Sequence, residues 1–286
     1  MARPHPTPFG VDSEKPSTAR IYDYFLGGSD NYRVDRATAE RIMATVPDSA
    51  ATVQANRDFL VRAVRFLAGE AGIDQFIDIG SGLPTRLNVH EVAQGVNPEA
   101  KVVYVDYDPA VRAYGDVLLA TNDSVRFAQQ DLREPQEILA DPAVRALIDF
   151  SRPVAILLIA ILPFIYDTED PEGIMVRLRE ASAAGSHLVI SHIVDDPRSR
   201  AVAVTQRQSA TRAWTPRSRA RIAGFFGEYE LLDPGLTLAH RWRPTAPQPG
   251  HGSPGGRAEV DESRLNWLLA GVGRKPSPPA GPAQEL

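Results

Sequence analysis

The chain has 286 residues, 43% of them hydrophobic and 23% charged, with a formal net charge of −5 and no cysteine. That is enough apolar material for one large folded domain and excludes wholesale disorder. The lack of cysteine removes disulfide frameworks, thiolate metal centres and thiol nucleophiles, and mild acidity without a Lys/Arg block leaves no footprint for nucleic acid or an anionic membrane.

A small-molecule substrate is therefore expected, with no nucleic-acid or membrane partner. Residues 1–8 carry proline where an export signal needs an apolar run, so the cytosol is the expected compartment. The longest apolar run, 154–165, is broken by Pro163 and is shorter than the roughly 20 residues of a bilayer-crossing helix. Stretches 1–16, 244–257 and 275–286 are rich in Pro, Gly or small residues and read as poorly ordered. Between the tails the chain divides into an N-terminal helical lid or cap over 17–70 and a ligand-binding α/β domain over 71–274, with 244–257 as a flexible loop.

In the cap, Leu26, Gly27, Gly28, Ser29 and Asp30 separate two helical stretches. Over 50–67, Val53, Phe59, Leu60, Ala63, Val64 and Leu67 recur at helical spacing with Arg57, Asp58, Arg62 and Arg65 between them, which predicts an amphipathic helix. Strand 75–80 ends in glycines and leads into a helix over 85–94; strand 101–106 leads into a helix over 109–120, with Pro109 suited to its first turn. A short strand follows at 125–128. Run 153–162 is apolar on both faces, as a central parallel strand requires. Asp170 as N-cap and Pro171 at N1 start a helix ending near Gly185, and strand 186–192 follows. A polar helix is expected over 195–213, a helix capped by Thr215 and Pro216 through 226, and late strands at 230–232, 236–242 and 266–272, with an antiparallel edge pair among them. The alternation predicts a three-layer α/β fold around a mostly parallel sheet.

In such a sheet, ligands bind where strand ends meet helix N-termini, so the strand-to-helix turns carry the chemistry. The first turn reads DIGSGLPT from Asp78; Gly80 and Gly82, flanking Ser81, let backbone N–H groups approach a ligand closely. The dinucleotide fingerprint wants glycine or alanine where Thr85 stands, and no P-loop Lys-Ser/Thr pair is present. At the second turn Asp106, beside Tyr107, can accept hydrogen bonds from ribose hydroxyls. Asp131 and Leu132 follow the third strand, where an acid can accept from an exocyclic amine. Ala160, Ile161 and Phe164 end the apolar strand and line the reacting side.

DIGSG from Asp78, Asp106 and Asp131 resemble the binding motifs of class I S-adenosylmethionine-dependent methyltransferases. More narrowly, PSTARIYDYFLGGSDNY from Pro16, DIGSGLPT from Asp78, NVHE from Asn88, VYVDYDP from Val103 and TPRSR from Thr215 resemble the actinobacterial S-adenosyl methyltransferase family, formerly a domain of unknown function. The resemblance covers most of 16–275. It implies a Rossmann-like sheet of about seven strands and S-adenosyl-L-methionine as cofactor, with Asp78, Gly80 and Gly82 near its methionine part, Asp106 at the ribose, and Asp131 with Leu132 at the adenine. A histidine expected after the apolar strand is replaced by Leu162, Pro163 and Phe164. The family leaves the methyl acceptor and any catalytic residue unassigned.

Tyr22, Tyr24, Asn31 and Tyr32 are candidates to close over the site or contact substrate; packing explains the aromatics equally well. Asp108 reads as the N-cap before Pro109. His90, His187 and His192 read as structural, Arg198, Arg200, Arg207 and Arg212 as a solvated helix face, and no cluster has metal-ligand spacing. Two rival functions remain: a non-enzymatic module that binds S-adenosylmethionine or S-adenosylhomocysteine, and a nicotinamide-dependent oxidoreductase, which Thr85 disfavours.

Overall fold

The computed structural model describes residues 12–84, 87–119, 123–209, 212–244 and 265–277. Three helices come first: α1 (Thr18–Phe25), α2 (Arg33–Thr45) and α3 (Ser49–Gly69). The break after α1 depends on Gly27, at φ +76°, and on Gly28, where an added Cβ would lie 1.9 Å from an Asp23 carboxylate oxygen. A buried ion pair clamps the first two helices: Arg20 Nε lies 2.7 Å from the Asp35 carboxylate, which also accepts the backbone N–H groups of Ser17 and Tyr32. Arg20 further donates to the carbonyls of Asp12 and Lys15, so residues 12–16 are tied down rather than loose.

The α/β units follow as β1 (Gln75–Ile79), α4 (Val89–Gln94), β2 (Lys101–Val105), α5 (Pro109–Leu119) and β3 (Val125–Ala128). Two short helices not anticipated from the sequence come next, α6 (Pro135–Ala140) and α7 (Pro142–Leu147), each opened by proline in its first turn. Then come β4 (Ala155–Ile159), α8 (Pro171–Ala181), β5 (His187–Ile193), α9 (Pro197–Ser209), α10 (Arg219–Gly224), β6 (Glu230–Leu231), β7 (Thr237–Leu238) and β8 (Leu268–Arg274). The sheet order is β3-β2-β1-β4-β5-β8-β6, with β7 also pairing β8. Strands β1 to β5 are parallel; β8 is antiparallel to β5, β6 and β7. The expected α/β Rossmann-like architecture is thus present, and the strand order reverses between β1 and β4, where a crevice opens.

The apolar face of α3, with Phe59, Leu60, Val64 and Leu67, shares one core with Phe76 and Leu157. The opposite face of the sheet buries Ile77 and Ile156 with Met175 of α8 and Ile222 of α10. Among the described residues no helix is long and apolar enough to cross a membrane.

Several boundaries differ from expectation. Helix α4 begins at Val89 because Asn88 and Glu91 form a reciprocal capping box; residues 85 and 86 lie outside the described residues. Ser218, not Thr215 or Pro216, caps α10, and Thr215 instead donates its N–H to the Pro163 carbonyl. The strand expected over 236–242 shortens to β7 and turns off the sheet at 239–241, because Trp242 is buried edge-on against Phe59 and Phe66 while Arg62 donates to the carbonyls of Trp242 and Ala239. The expected antiparallel pairing of the late strands is present at that end of the sheet, where β6 and β7 both pair with β8. Lys275, expected in a loose tail, is anchored by Nζ donating to the carbonyls of Arg179 and Ser182. Most of the expected 244–257 loop and the end of the chain from 278 lie outside the described residues.

Candidate functional site

A cavity of about 470 Å³ sits at the carboxyl ends of β1, β2 and β4, roofed by α1 and α3. Three of the four turns singled out in the sequence meet there: Gly80, Ser81 and Gly82 after β1, Asp106 and Tyr107 after β2, Ala160 and Ile161 after β4. Gly80 has φ +72°, and a Cβ on it would lie 2.4 Å from the Ile161 side chain, so only glycine lets the two turns meet.

The Asp78 carboxylate is buried beside this turn and receives no hydrogen bond from the described residues. Burial pushes its pKa up to about 7, with Asp106 adding to the rise and the Arg57 guanidinium opposing it. Asp106 is also buried; its two oxygens accept the N–H groups of Gly82 (2.9 Å) and Asp108 (3.0 Å), yet burial still raises its pKa to about 6. Asp108 caps α5 through the Ala110 N–H (2.8 Å), as expected, and its other oxygen accepts the Ser17 hydroxyl at 3.2 Å, joining the cap to the β2 turn.

Across the cavity, Ala160 adopts φ +53° and donates its N–H to Ser191 Oγ (2.9 Å). Ser191 donates to Asn56 Oδ1 (2.6 Å), and Asn56 Nδ2 donates to the Tyr22 hydroxyl (3.0 Å). A continuous chain of hydrogen bonds thus runs from the β4 turn through α3 to α1. Tyr22 and Phe164 line the cavity, as the sequence suggested.

Other expected residues lie elsewhere. Asp131 and Leu132 line a small adjoining recess with Gly80, Asp106 and Ile161, and the Asp131 carboxylate is held by Arg133, which keeps its pKa low despite burial. Tyr24, Asn31 and Tyr32 are absent from the cavity wall: Tyr24 reaches Glu40, Asn31 donates to Asp23, and Tyr32 lies under the Arg20 guanidinium. Their work is to shape the cap. Arg212, expected on a helix face, lies beyond α9 and lines the cavity, donating to the Phe164 carbonyl and to Glu169.

Sequence reasoning missed Asn56, Arg57, Gln206, Trp214 and Trp267, all in the wall. The signal for Asn56 was a polar residue amid the apolar positions of α3; the rest come from segments with no periodicity pointing inward. His90 and His192 are held in structural contacts. Burial drives His192 down to about 3; its Nδ1–H donates to the Ile193 carbonyl and its Nε2 accepts from Arg217. His90 pairs with the Tyr104 hydroxyl, and burial lowers its pKa too. Arg217, from the TPRSR run, also donates to the carbonyls of Leu162 and Ile165, fixing the loop that carries Phe164.

A parallel sheet with its crevice over a glycine turn and an acid ending the second strand defines a Rossmann-like enzyme for a nucleoside cofactor. The sequence matches the S-adenosyl methyltransferase family over residues 4–276, and the chain belongs to that family. It is similar to a protein of Thermobifida fusca provisionally assigned as a methyltransferase, with 42% identity over 94% of this chain and 98% of that one and a TM-score of 0.85. It is also similar to a DUF574 family protein of Streptomyces avermitilis, at 37% identity over 93% and 99% of the two chains and a TM-score of 0.84. No curated protein matches the sequence. The protein is an S-adenosylmethionine-dependent methyltransferase, as the resemblance implied.

Proposed function

We propose that the enzyme methylates a small molecule held in the 470 Å³ cavity, with Asp78, residues 80–82 and Asp106 binding the cofactor. The observation that carries this is the buried Asp78 carboxylate with no hydrogen-bond donor among the described residues, beside an Arg57 guanidinium. The pair matches an α-amino acid end, the carboxylate facing an ammonium and the guanidinium a carboxylate. In this reading Asp106 accepts from the ribose hydroxyls, and the flat base lies toward the recess bounded by Asp131, Leu132 and Ile161.

S-adenosylmethionine supplies a methyl group on positively charged sulfur. The chain's part is to bind, orient and exclude water, because most of the rate in such a transfer comes from alignment of the reacting pair. Tyr22 and Phe164 line the cavity, and an aromatic ring whose face meets a cation favours it by about 0.5–2 kcal/mol. With His192 and His90 committed to Arg217 and Tyr104, neither stands in the cavity as a base.

Asp106→Ala tests the reading. It should weaken S-adenosylhomocysteine binding by about 1–3 kcal/mol, the cost of leaving polar partners unmet, when titrated calorimetrically. Unchanged affinity would refute the placement of the cofactor.

A further inference from the structure

One part of the cavity wall away from the glycine turn brings together three rings and the Gln206 amide. Phe164 and Trp214 lie edge to face with centroids 6.4 Å apart, and Trp267 stacks at a tilt 5.8 Å from Trp214. Gln206, on the last turns of α9, is buried, and its Oε1 accepts the Trp214 backbone N–H at 2.9 Å. That bond settles the orientation of the amide, since Oε1 must face Trp214. The Nε2 group is left with two donors and no partner among the described residues, in a side chain that lines the cavity. Facing the cavity, those donors are open to an acceptor atom of a bound molecule in place of water. A charged group beside the same rings is also a donor, Arg212, whose Nε holds the Phe164 carbonyl.

We infer that the methyl acceptor is a flat aromatic molecule bearing a hydrogen-bond-accepting oxygen or ring nitrogen, seated against Phe164 and Trp214, with Gln206 Nε2 donating to that atom. This rests on the cofactor reading above and adds the acceptor's class and the residue that selects it. Rings give the apolar bulk, and the amide gives the discrimination, because a site built to donate rejects analogues with nothing to accept. Gln206 touches the acceptor without taking part in the transfer.

The test uses the full chain saturated with S-adenosylhomocysteine and two probes of like size: chromone, whose oxygens only accept, and naphthalene, which has none. Dissociation constants are read from calorimetry at pH 8. Gln206→Glu keeps an oxygen for the Trp214 N–H and removes the donors, whereas Gln206→Leu removes both. Chromone should bind the wild-type chain more tightly than naphthalene. Both variants should weaken chromone about five- to tenfold, the size of one neutral hydrogen bond, and leave naphthalene within about twofold. Chromone no tighter than naphthalene, or Gln206→Glu with wild-type affinity for chromone, would overturn the inference while leaving the cofactor site intact. Failure of S-adenosylhomocysteine itself to bind would overturn the cofactor reading and this inference together.

Discussion

Asp78 shows how a single residue trades stability for binding. The folded chain holds a proton on this carboxyl up to about pH 7, where the unfolded chain has already released it near the ordinary carboxylate range. Folding stability from this group therefore falls as pH rises from that range through about 7, the reverse of a salt-bridged acid. Asp78→Asn removes the penalty. The variant without ligand should gain melting temperature over wild type at pH 8 and gain little or nothing at pH 4.5, as seen by calorimetry. If Asp78 meets the ligand's ammonium as proposed, the wild-type chain should gain S-adenosylhomocysteine affinity as pH rises through about 7, and the variant should lose that rise. A pH-independent difference between the two proteins would exclude Asp78 as the titrating group. Gly80 makes the complementary point sterically. Gly80→Ala forces a Cβ to 2.4 Å from Ile161 at φ +72°, and should cost both stability and cofactor binding.

Among elements, the α1–α2 pair packs Ile21, Ala39 and Ile42 into the core and also buries one ion pair, Arg20 and Asp35, both nearly inaccessible. Arg20→Met leaves the Asp35 carboxylate without its cation and should cost about 3–5 kcal/mol, whereas Arg20→Met with Asp35→Leu should recover much of it. Hydrogen exchange should show the single variant opening over residues 12–45 while β1 and β4 keep their protection; equal opening in both variants would argue against the clamp. This dependence was not legible in the sequence, because a lone arginine and a lone aspartate 15 residues apart carry no spacing signal. Strands β1, β2, β4 and β5 were legible because parallel strands buried on both faces read as apolar runs, the first two ending at Gly80 and Asp106. Late strands were harder to place. β6 and β7 are two residues each, and β8 follows a stretch rich in proline and glycine, so only tertiary pairing defines them. The site divides the same way: its turns announce themselves through Gly80, Gly82 and Asp106, whereas Gln206 and Trp214 reach the cavity from a helix end and a loop with no pattern of their own.

At the scale of the whole molecule, two links join the strand-end turns to α1. Ser17 donates to Asp108 two residues after Asp106, and the chain Ala160–Ser191–Asn56–Tyr22 crosses from the β4 turn to α1. A ligand that binds only the folded state stabilises it by about 2.7 kcal/mol at a hundredfold excess over its dissociation constant. Local openings that break the site are suppressed by the same amount, so the protection should extend to whatever is coupled to the site. Saturating S-adenosylhomocysteine should therefore slow amide exchange in α1 as well as in the turns after β1 and β2. Asn56→Ala cuts the second link while leaving Asp78 and Asp106 in place, and should reduce the protection of α1 more than that of the turns. Equal protection of α1 in both proteins would mean that the Asn56 link carries none of the coupling and that α1 senses the ligand through Ser17 and Asp108 instead.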